Sequence, residues 1–261
     1  MDTKIIFIDF DNTLFSHTTK SIPESTYVAL EKLKEKGILT CLCTGRCQYE
    51  VEKYFELPRM KFDYYIYFNG QQILDKDKNT LFSLTIEGID KQNAIKVFNE
   101  KKIPFIMESK DDYYINFNND LVYKTCVVKS SSPLPKVQEY IEDDLYMASF
   151  FPGEMEGLDD FVKENFPNCN AIVWDEGVYD LLLKCSSKAN GIKKLIEILN
   201  IKIEDTMSFG DGRNDIEMLD LTGMSVAMGN SSELVQSHAK YVTDDIDHDG
   251  IYNALVHFSL I

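Results

Sequence analysis

The chain has 261 residues, enough for one large domain or two ordinary ones, each with a core of its own. Hydrophobic residues make up 44% and charged residues 27%, an ordinary globular composition that excludes a disordered chain and a disulfide-stapled miniprotein. With 27 basic against 43 acidic residues the net charge is −16, which argues against nucleic acid and against an anionic membrane surface as partners; an anionic ligand would need a metal ion or a few local cations to offset that field.

In chain order, Lys4 to Ile8 is a short β-branched apolar run and predicts a buried parallel strand. The run breaks at Asp9, too early for the core of a secretory signal, and no apolar stretch reaches the roughly 20 residues needed to span a bilayer. Ser21-Ile22-Pro23-Glu24 reads as a capping box with proline near the helix start. Val28, Leu30 and Leu33 supply the helical stripe and Gly37 the stop. Ile38 to Cys43 predicts a second strand, Gln48 to Leu57 a helix with Pro58 just beyond, and Tyr64 to Phe68 a third strand ending at Asn69-Gly70. Strands alternating with helices imply a parallel α/β sheet.

The pattern changes after about Leu81. Helical stretches at Lys91 to Lys101, Lys136 to Asp143 and Leu158 to Phe166 alternate with aromatic-rich strands at Phe105 to Glu108, Tyr113 to Phe117, Tyr146 to Phe151, Ala171 to Trp174 and Tyr179 to Lys184. Their apolar–polar alternation predicts a sheet with one covered and one wetter face, so residues 82–185 are expected to form an α+β domain inserted into a core of residues 1–81 and 186–261. From Ser186 the α/β pattern returns: a helix over Ala189 to Leu199, a strand over Thr206 to Phe209, a helix from Asp215, and strands at Met224 to Met228 and Tyr241 to Thr243. Ser130-Ser131-Ser132-Pro133 marks a local loop. The six cysteines form no CxxC pair; buried free thiols in a reducing cytoplasm are expected, rather than a metal cluster at Cys41, Cys43 and Cys47. No heptad or apolar surface stripe stands out, so the sequence assigns no oligomeric state.

Polar motifs recur where strands end. Asp9-Phe10-Asp11-Asn12-Thr13 follows the first strand and lands at the carboxyl edge of the sheet, where open α/β folds bind ligands. A period of two would point Asp9 and Asp11 the same way, and two converging carboxylates repel unless a cation or a proton intervenes. The same string would also suit a polar turn. Gly210-Asp211-Gly212-Arg213-Asn214-Asp215 follows the strand Thr206 to Phe209; capping alone could explain Asp215, but a Gly-Asp-Gly run is a poor choice for stability. Four gathered carboxylates, Asp9, Asp11, Asp211 and Asp215, would make a hard-oxygen site suited to Mg²⁺. Thr44-Gly45-Arg46, at another strand end, can cradle phosphoryl oxygens. Lys188, at a helix start where a cation is locally unfavourable, suggests a job beyond helix formation.

These residues, in this order, resemble the four signatures of the haloacid dehalogenase (HAD) superfamily: Asp9-Phe10-Asp11-Asn12-Thr13, then Thr44, then Lys188, then Gly210-Asp211 with Asn214-Asp215. The resemblance runs over nearly the whole chain. The insertion between the second and third signatures is that of members with a type-two cap, and Thr44-Gly45-Arg46, Asn69-Gly70 and Lys188-x-Asn190-Gly191 look like the Cof-type subfamily.

The resemblance implies a Rossmann-like parallel-sheet core with an inserted α+β cap. It also implies a Mg²⁺-dependent phosphatase of small phosphorylated metabolites, sugar phosphates foremost. Asp9 would be the nucleophile that becomes an aspartyl-phosphate, and Asp11 the general acid and then base, starting with a proton favoured by the neighbouring acids. The ion would be held by Asp9, the backbone carbonyl of Asp11, Asp211 and, directly or through water, Asp215. Thr44 and Gly45 would hold phosphoryl oxygens and Lys188 would balance charge. Asn214 would orient Lys188 or the phosphate, and Arg46 and Asn69 would face the substrate. In the insertion, Glu108, Tyr113, Tyr114, Glu154, Glu156 and Tyr179 could line the leaving-group side or simply pack. A sugar-phosphate mutase on the same core and a non-catalytic receiver-like module are the competing readings.

Overall fold

The computed structural model describes residues 3–53, 60–130 and 133–261. In chain order, the first elements are Ile5–Ile8 (β1), Glu24–Glu35 (α1), Leu39–Cys43 (β2), Gln48–Glu52 (α2), Tyr64–Tyr67 (β3), Gln72–Asp75 (β4) and Thr80–Ser83 (β5). Then come Gly88–Glu100 (α3), Phe105–Glu108 (β6), Tyr113–Ile115 (β7), Asp120–Val122 (α4), Lys136–Val137 (β8), Met147–Phe150 (β9), Leu158–Asn165 (α5), Cys169–Asp175 (β10) and Val178–Leu183 (β11). The last are Lys188–Leu199 (α6), Thr206–Gly210 (β12), Ile216–Leu221 (α7), Met224–Ala227 (β13), Glu233–Gln236 (α8), Tyr241–Val242 (β14) and Gly250–His257 (α9). The described residues divide into two compact units, one falling within 1–46, 51–83 and 187–261, the other within 47–50 and 84–186.

The first unit is built on an eight-stranded sheet in the order β14-β13-β12-β1-β2-β3-β4-β5. From β14 to β3 every neighbour is parallel; β4 and β5 extend the edge antiparallel. β1 is buried at all four positions, which is why its run is continuously apolar rather than alternating. The chain builds outward from β1 through β2 and β3 on one side and through β12 and β13 on the other. The carboxyl ends of β1 and β12 therefore flank a topological switch point, the usual ligand crevice of an open α/β sheet. One face of the sheet (Ile5, Phe7, Cys41, Cys43, Ile66) packs against Ile192, Leu195 and Ile196 of α6 and Met218 of α7.

The second unit holds a six-stranded sheet in the order β10-β11-β9-β6-β7-β8. Phe105, Met107, Ala148, Phe150 and Leu181 face Ala94 and Phe98 of α3 and Val162 of α5, with Phe166 just beyond it. Tyr114 and Tyr179 belong to this packed layer, the Tyr114 hydroxyl donating to the Ile141 carbonyl (2.9 Å). On the opposite face the Ser149 hydroxyl contacts both Glu108 (2.9 Å) and Asp180 (2.7 Å). Glu154 and Glu156 are exposed.

Two local expectations change, and some elements were not expected at all. Lys136 to Asp143 is not a helix: Lys136–Val137 pairs with β7 at the sheet edge and the chain then runs irregularly. Ser21 does not cap α1, whose N-cap is Pro23 with no side-chain cap bond. The sequence reading had not placed β4, β5, α4, α8 or α9. A wide, π-type turn over Tyr123–Lys129 was likewise unforeseen. The second half of the Gln48 to Leu57 helix, with Pro58, lies outside the described residues, as do Ser131 and Ser132 of the expected loop. Five of the six cysteines are buried and Cys185 is exposed. No helix of the described residues is long and apolar enough to cross a membrane.

Candidate active site

β1 ends at Ile8, and the chain then bends through a tight loop in which Asn12 takes a left-handed φ of 53°. The two-residue alternation of a strand no longer applies there, and Asp9 and Asp11 part company. Asp9 is 5% exposed and accepts a hydrogen bond from the Lys188 ammonium. Lys188, fully buried at the first turn of α6, also donates to Asp215 Oδ1 at 2.6 Å. The other Asp215 oxygen accepts from the backbone N–H groups of Asp211 (3.0 Å) and Gly212 (2.9 Å). Asp215 thus does more than cap a helix: it fastens Lys188 to the turn that carries Asp211.

Two glycines make this convergence possible. A Cβ on Gly210 would fall 2.6 Å from the Asp215 carboxyl carbon. Gly70, at φ 98°, lets the chain after β3 pass so close to α6 that a Cβ there would lie 2.2 Å from the Ser187 carbonyl oxygen. That close approach seats the helix start bearing Lys188 beside the sheet edge.

One carboxylate oxygen from each of Asp9, Asp211 and Asp215 lies within 4.8 Å of the others. Three hard oxygen donors at this spacing, with water able to complete the shell, fit Mg²⁺. The expected fourth carboxylate is not among them. Asp11 is held by Arg46, which bonds it through Nε to Oδ2 and through Nη2 to Oδ1 (both 2.8 Å), and by His17 Nε2 at 2.6 Å from Oδ1.

The two settings shift acidity in opposite directions. Burial, and next the charge of Asp215, push the Asp9 carboxyl well above the usual carboxylate range despite Lys188. The same two causes raise Asp211 to about 7. Burial alone would lower Lys188, but the adjacent Asp215 and Asp9 outweigh it and keep its ammonium firmly protonated. Burial would also raise Asp11, yet the His17 hydrogen bond and the Arg46 charge overcome it and hold the carboxyl well below the usual range. The expectation that neighbouring acids would favour a proton on Asp11 is therefore corrected: the His17 hydrogen bond and the Arg46 charge favour its ionised form.

Thr44 is buried at the end of β2, its hydroxyl accepting from the Arg46 N–H (3.1 Å). Asn69, in a left-handed conformation, donates its N–H to the Thr44 carbonyl (3.0 Å) and lies so close to Gly45 that a Cβ there would sit 2.9 Å from Nδ2. Asn214 donates to Asn69 Oδ1 (3.4 Å) rather than to Lys188, whose hydrogen bonds go to Asp9 and Asp215.

Three residues join the site without having been assigned a part. Thr13 donates to Asp211 Oδ1 (3.3 Å). Asn230, just past β13, reaches the Asn12 carbonyl (3.0 Å) and Asp211 Oδ2 (3.4 Å) while its Oδ1 accepts from the Ile246 N–H (3.0 Å). His17 is the third. Asn230 had a legible signal, since Gly229-Asn230 follows a strand end as Asn69-Gly70 does; a single histidine in a turn carries none.

Residues 6–255 match the family model of haloacid dehalogenase-like hydrolases. The chain belongs to this family. YkrA of Bacillus subtilis, named as a phosphatase, is 30% identical over the full length of both chains. A Streptococcus pyogenes serotype M6 protein, named as a bifunctional phosphatase and peptidyl-prolyl cis-trans isomerase, is 31% identical; 99% of this chain matches 54% of that protein, so the chain spans about half of its length. Among solved structures, a sugar phosphatase of HAD subclass IIB superposes with a TM-score of 0.83 at 30% identity, covering 99% of this chain and all of the other. The chain is thus a HAD enzyme of the Cof type, in the class of phosphoric monoester hydrolases.

Proposed function

We propose that this HAD enzyme hydrolyses phosphate monoesters of small hydroxyl-rich metabolites, sugar phosphates foremost, through an aspartyl-phosphate on Asp9. The observation that carries this reading is the convergence of Asp9, Lys188, Asp211 and Asp215 at the carboxyl ends of β1 and β12.

A carboxylate oxygen of Asp9 attacks phosphorus, and the ester P–O bond breaks with its electron pair on the leaving oxygen. Asp11, after taking up a proton, delivers it to that oxygen. Asp11 then takes a proton from the water that attacks the acyl-phosphate, and the bond between phosphorus and Asp9 breaks to restore the carboxylate and release phosphate. Lys188 balances the charge gathered on Asp9 and the phosphoryl group, while Thr44 and the Gly45 amide hold phosphoryl oxygens, with Asn69 and Asn214 beside them. Asp9, Asp211, Asp215 and the Asp11 carbonyl would hold Mg²⁺. When bound, that ion supplies the positive charge that offsets repulsion between a carboxylate and a phosphate dianion.

The inserted block, taken as residues 82–185, is proposed to act as the cap that selects the leaving group. The mostly buried cysteines suit a cytoplasmic enzyme, and the acidic net charge favours small metabolites over nucleic acid or membrane as partners.

The test is steady-state hydrolysis of p-nitrophenyl phosphate and of a panel of sugar phosphates, nucleotides and flavin mononucleotide. Turnover should require both Mg²⁺ and Asp9, with sugar phosphates ranking first in kcat/KM. Absence of Asp9-dependent turnover across the panel would overturn the activity, and a nucleotide ranking first would overturn the substrate class.

A further inference from the structure

Asp11 has more partners than a freely turning acid–base group needs, and their placement is uneven. Among the described residues, Oδ1 is contacted by both Arg46 Nη2 (2.8 Å) and His17 Nε2 (2.6 Å), while Oδ2 is contacted only by Arg46 Nε (2.8 Å). A carboxylate offers about four lone-pair positions, two on each oxygen. Among the described residues three of the four are taken, and the remaining one is on Oδ2. The imidazole donates to Oδ1 when its hydrogen is on Nε2, the tautomer on which the positioning role depends. The ring is itself fixed: it meets Phe15 edge-on at a centroid distance of 5.4 Å, and Phe15 stacks on Phe10, the neighbour of both aspartates. His17 remains 31% exposed, so burial of the ring alone does not explain its place.

We propose that His17 is a positioning residue that directs the transferable proton of Asp11 to Oδ2. With Arg46 it fills Oδ1, so the acid carries its proton on one oxygen in one orientation. When the ester bond breaks, its electron pair stays on the leaving oxygen, the Oδ2 proton moves there, and the O–H pair stays on Asp11 as a carboxylate held by the same two donors. This inference rests on the reading of Asp11 as general acid given above.

The test compares kcat/KM for p-nitrophenyl phosphate, whose nitrophenolate leaves without help, with that for glucose 6-phosphate, whose alkoxide needs a proton. kcat/KM reports steps only through departure of the leaving group, so the later action of Asp11 on water does not enter. The Mg²⁺-loaded enzyme is used throughout. Asp11→Asn should lower kcat/KM on glucose 6-phosphate by roughly a hundredfold more than on p-nitrophenyl phosphate. His17→Phe, which keeps the ring beside Phe15 but has no N–H, should show the same bias at roughly tenfold, and His17→Gln, which keeps a donor, should recover most of it.

If Asp11→Asn shows the bias and His17→Phe does not, or depresses both substrates equally, the positioning role is overturned while the general-acid reading stands. If Asp11→Asn shows no bias, the general-acid reading falls and the positioning role with it. Should His17→Phe fail to fold, His17→Ala replaces it, with the same bias expected and the same equal loss as the overturning result.

Discussion

Asp9 and Asp11 are two residues apart in the chain and occupy opposite electrostatic settings. Asp9 is buried with two further carboxylates and one fully buried cation, whereas the Asp11 side chain is 35% exposed and faces two cationic or hydrogen-donating partners. In the first setting, proximity of like charges under low dielectric raises proton affinity; in the second, opposite charge lowers it. Depth and company, more than sequence position, set the two carboxyls apart, and the proposed division between a nucleophile and an acid–base group follows that difference. The difference also has a stability side. A buried cation that loses its carboxylates, or carboxylates that lose their cation, cannot be rescued by water, whereas a partly exposed pair is within its reach.

The largest effect that would break this division is on turnover. Asp9→Asn should reduce phosphate release by at least about 10⁴-fold, as expected for loss of a nucleophile, with the far-ultraviolet circular dichroism unchanged; residual turnover near that of the parent would place the nucleophile elsewhere. Next in size is stability. Lys188→Met leaves Asp9 and Asp215 buried without their cation and should cost about 3–5 kcal/mol in urea denaturation with divalent ions chelated. A smaller gain is expected from the ion: Mg²⁺ at a hundred times its Kd should stabilise the protein by about 2.7 kcal/mol. Thermal melts with Mg²⁺ and with a chelator measure this, and Asp211→Asn should shrink the difference. Smallest is Arg46→Met, which removes a cation from the more exposed site and should cost about 1 kcal/mol or less in the same denaturation. If Arg46→Met and Lys188→Met destabilise equally, depth is not what separates the two settings.

Much of this was readable before any coordinates. Lys4 to Ile8 announced itself by an unbroken β-branched run, and each polar motif that followed such a run lay at a strand's carboxyl end. Where sequence reasoning failed, a local pattern lost to a tertiary one. Val137, Tyr140 and Ile141 have helical spacing, but Tyr114 takes Lys136 as a strand neighbour and its hydroxyl accepts from the Ile141 N–H (3.2 Å), which ties that segment to the sheet. β4 and β5 escaped notice because β5 is largely exposed at an edge and their connecting turn is a run of charged residues. His17 could not have been found from its neighbours, since nothing in a turn sequence specifies that a ring will reach a carboxylate six residues back.

What the amino-acid order alone determined was local: which runs are apolar enough to be buried strands, where they stop, and which oxygen-bearing or cationic side chains stand at those stops. Only the tertiary structure decided which of them meet. Lys188 reaches Asp9 across 179 positions because Gly70 permits α6 to pack against the chain after β3. Asp11 turns away from that meeting point because the strand has ended and Arg46, itself brought close by the pairing of β1 with β2, offers it an opposite charge. Spacing along a chain sets the reach of a side chain, but its charge state follows from the neighbours that folding supplies.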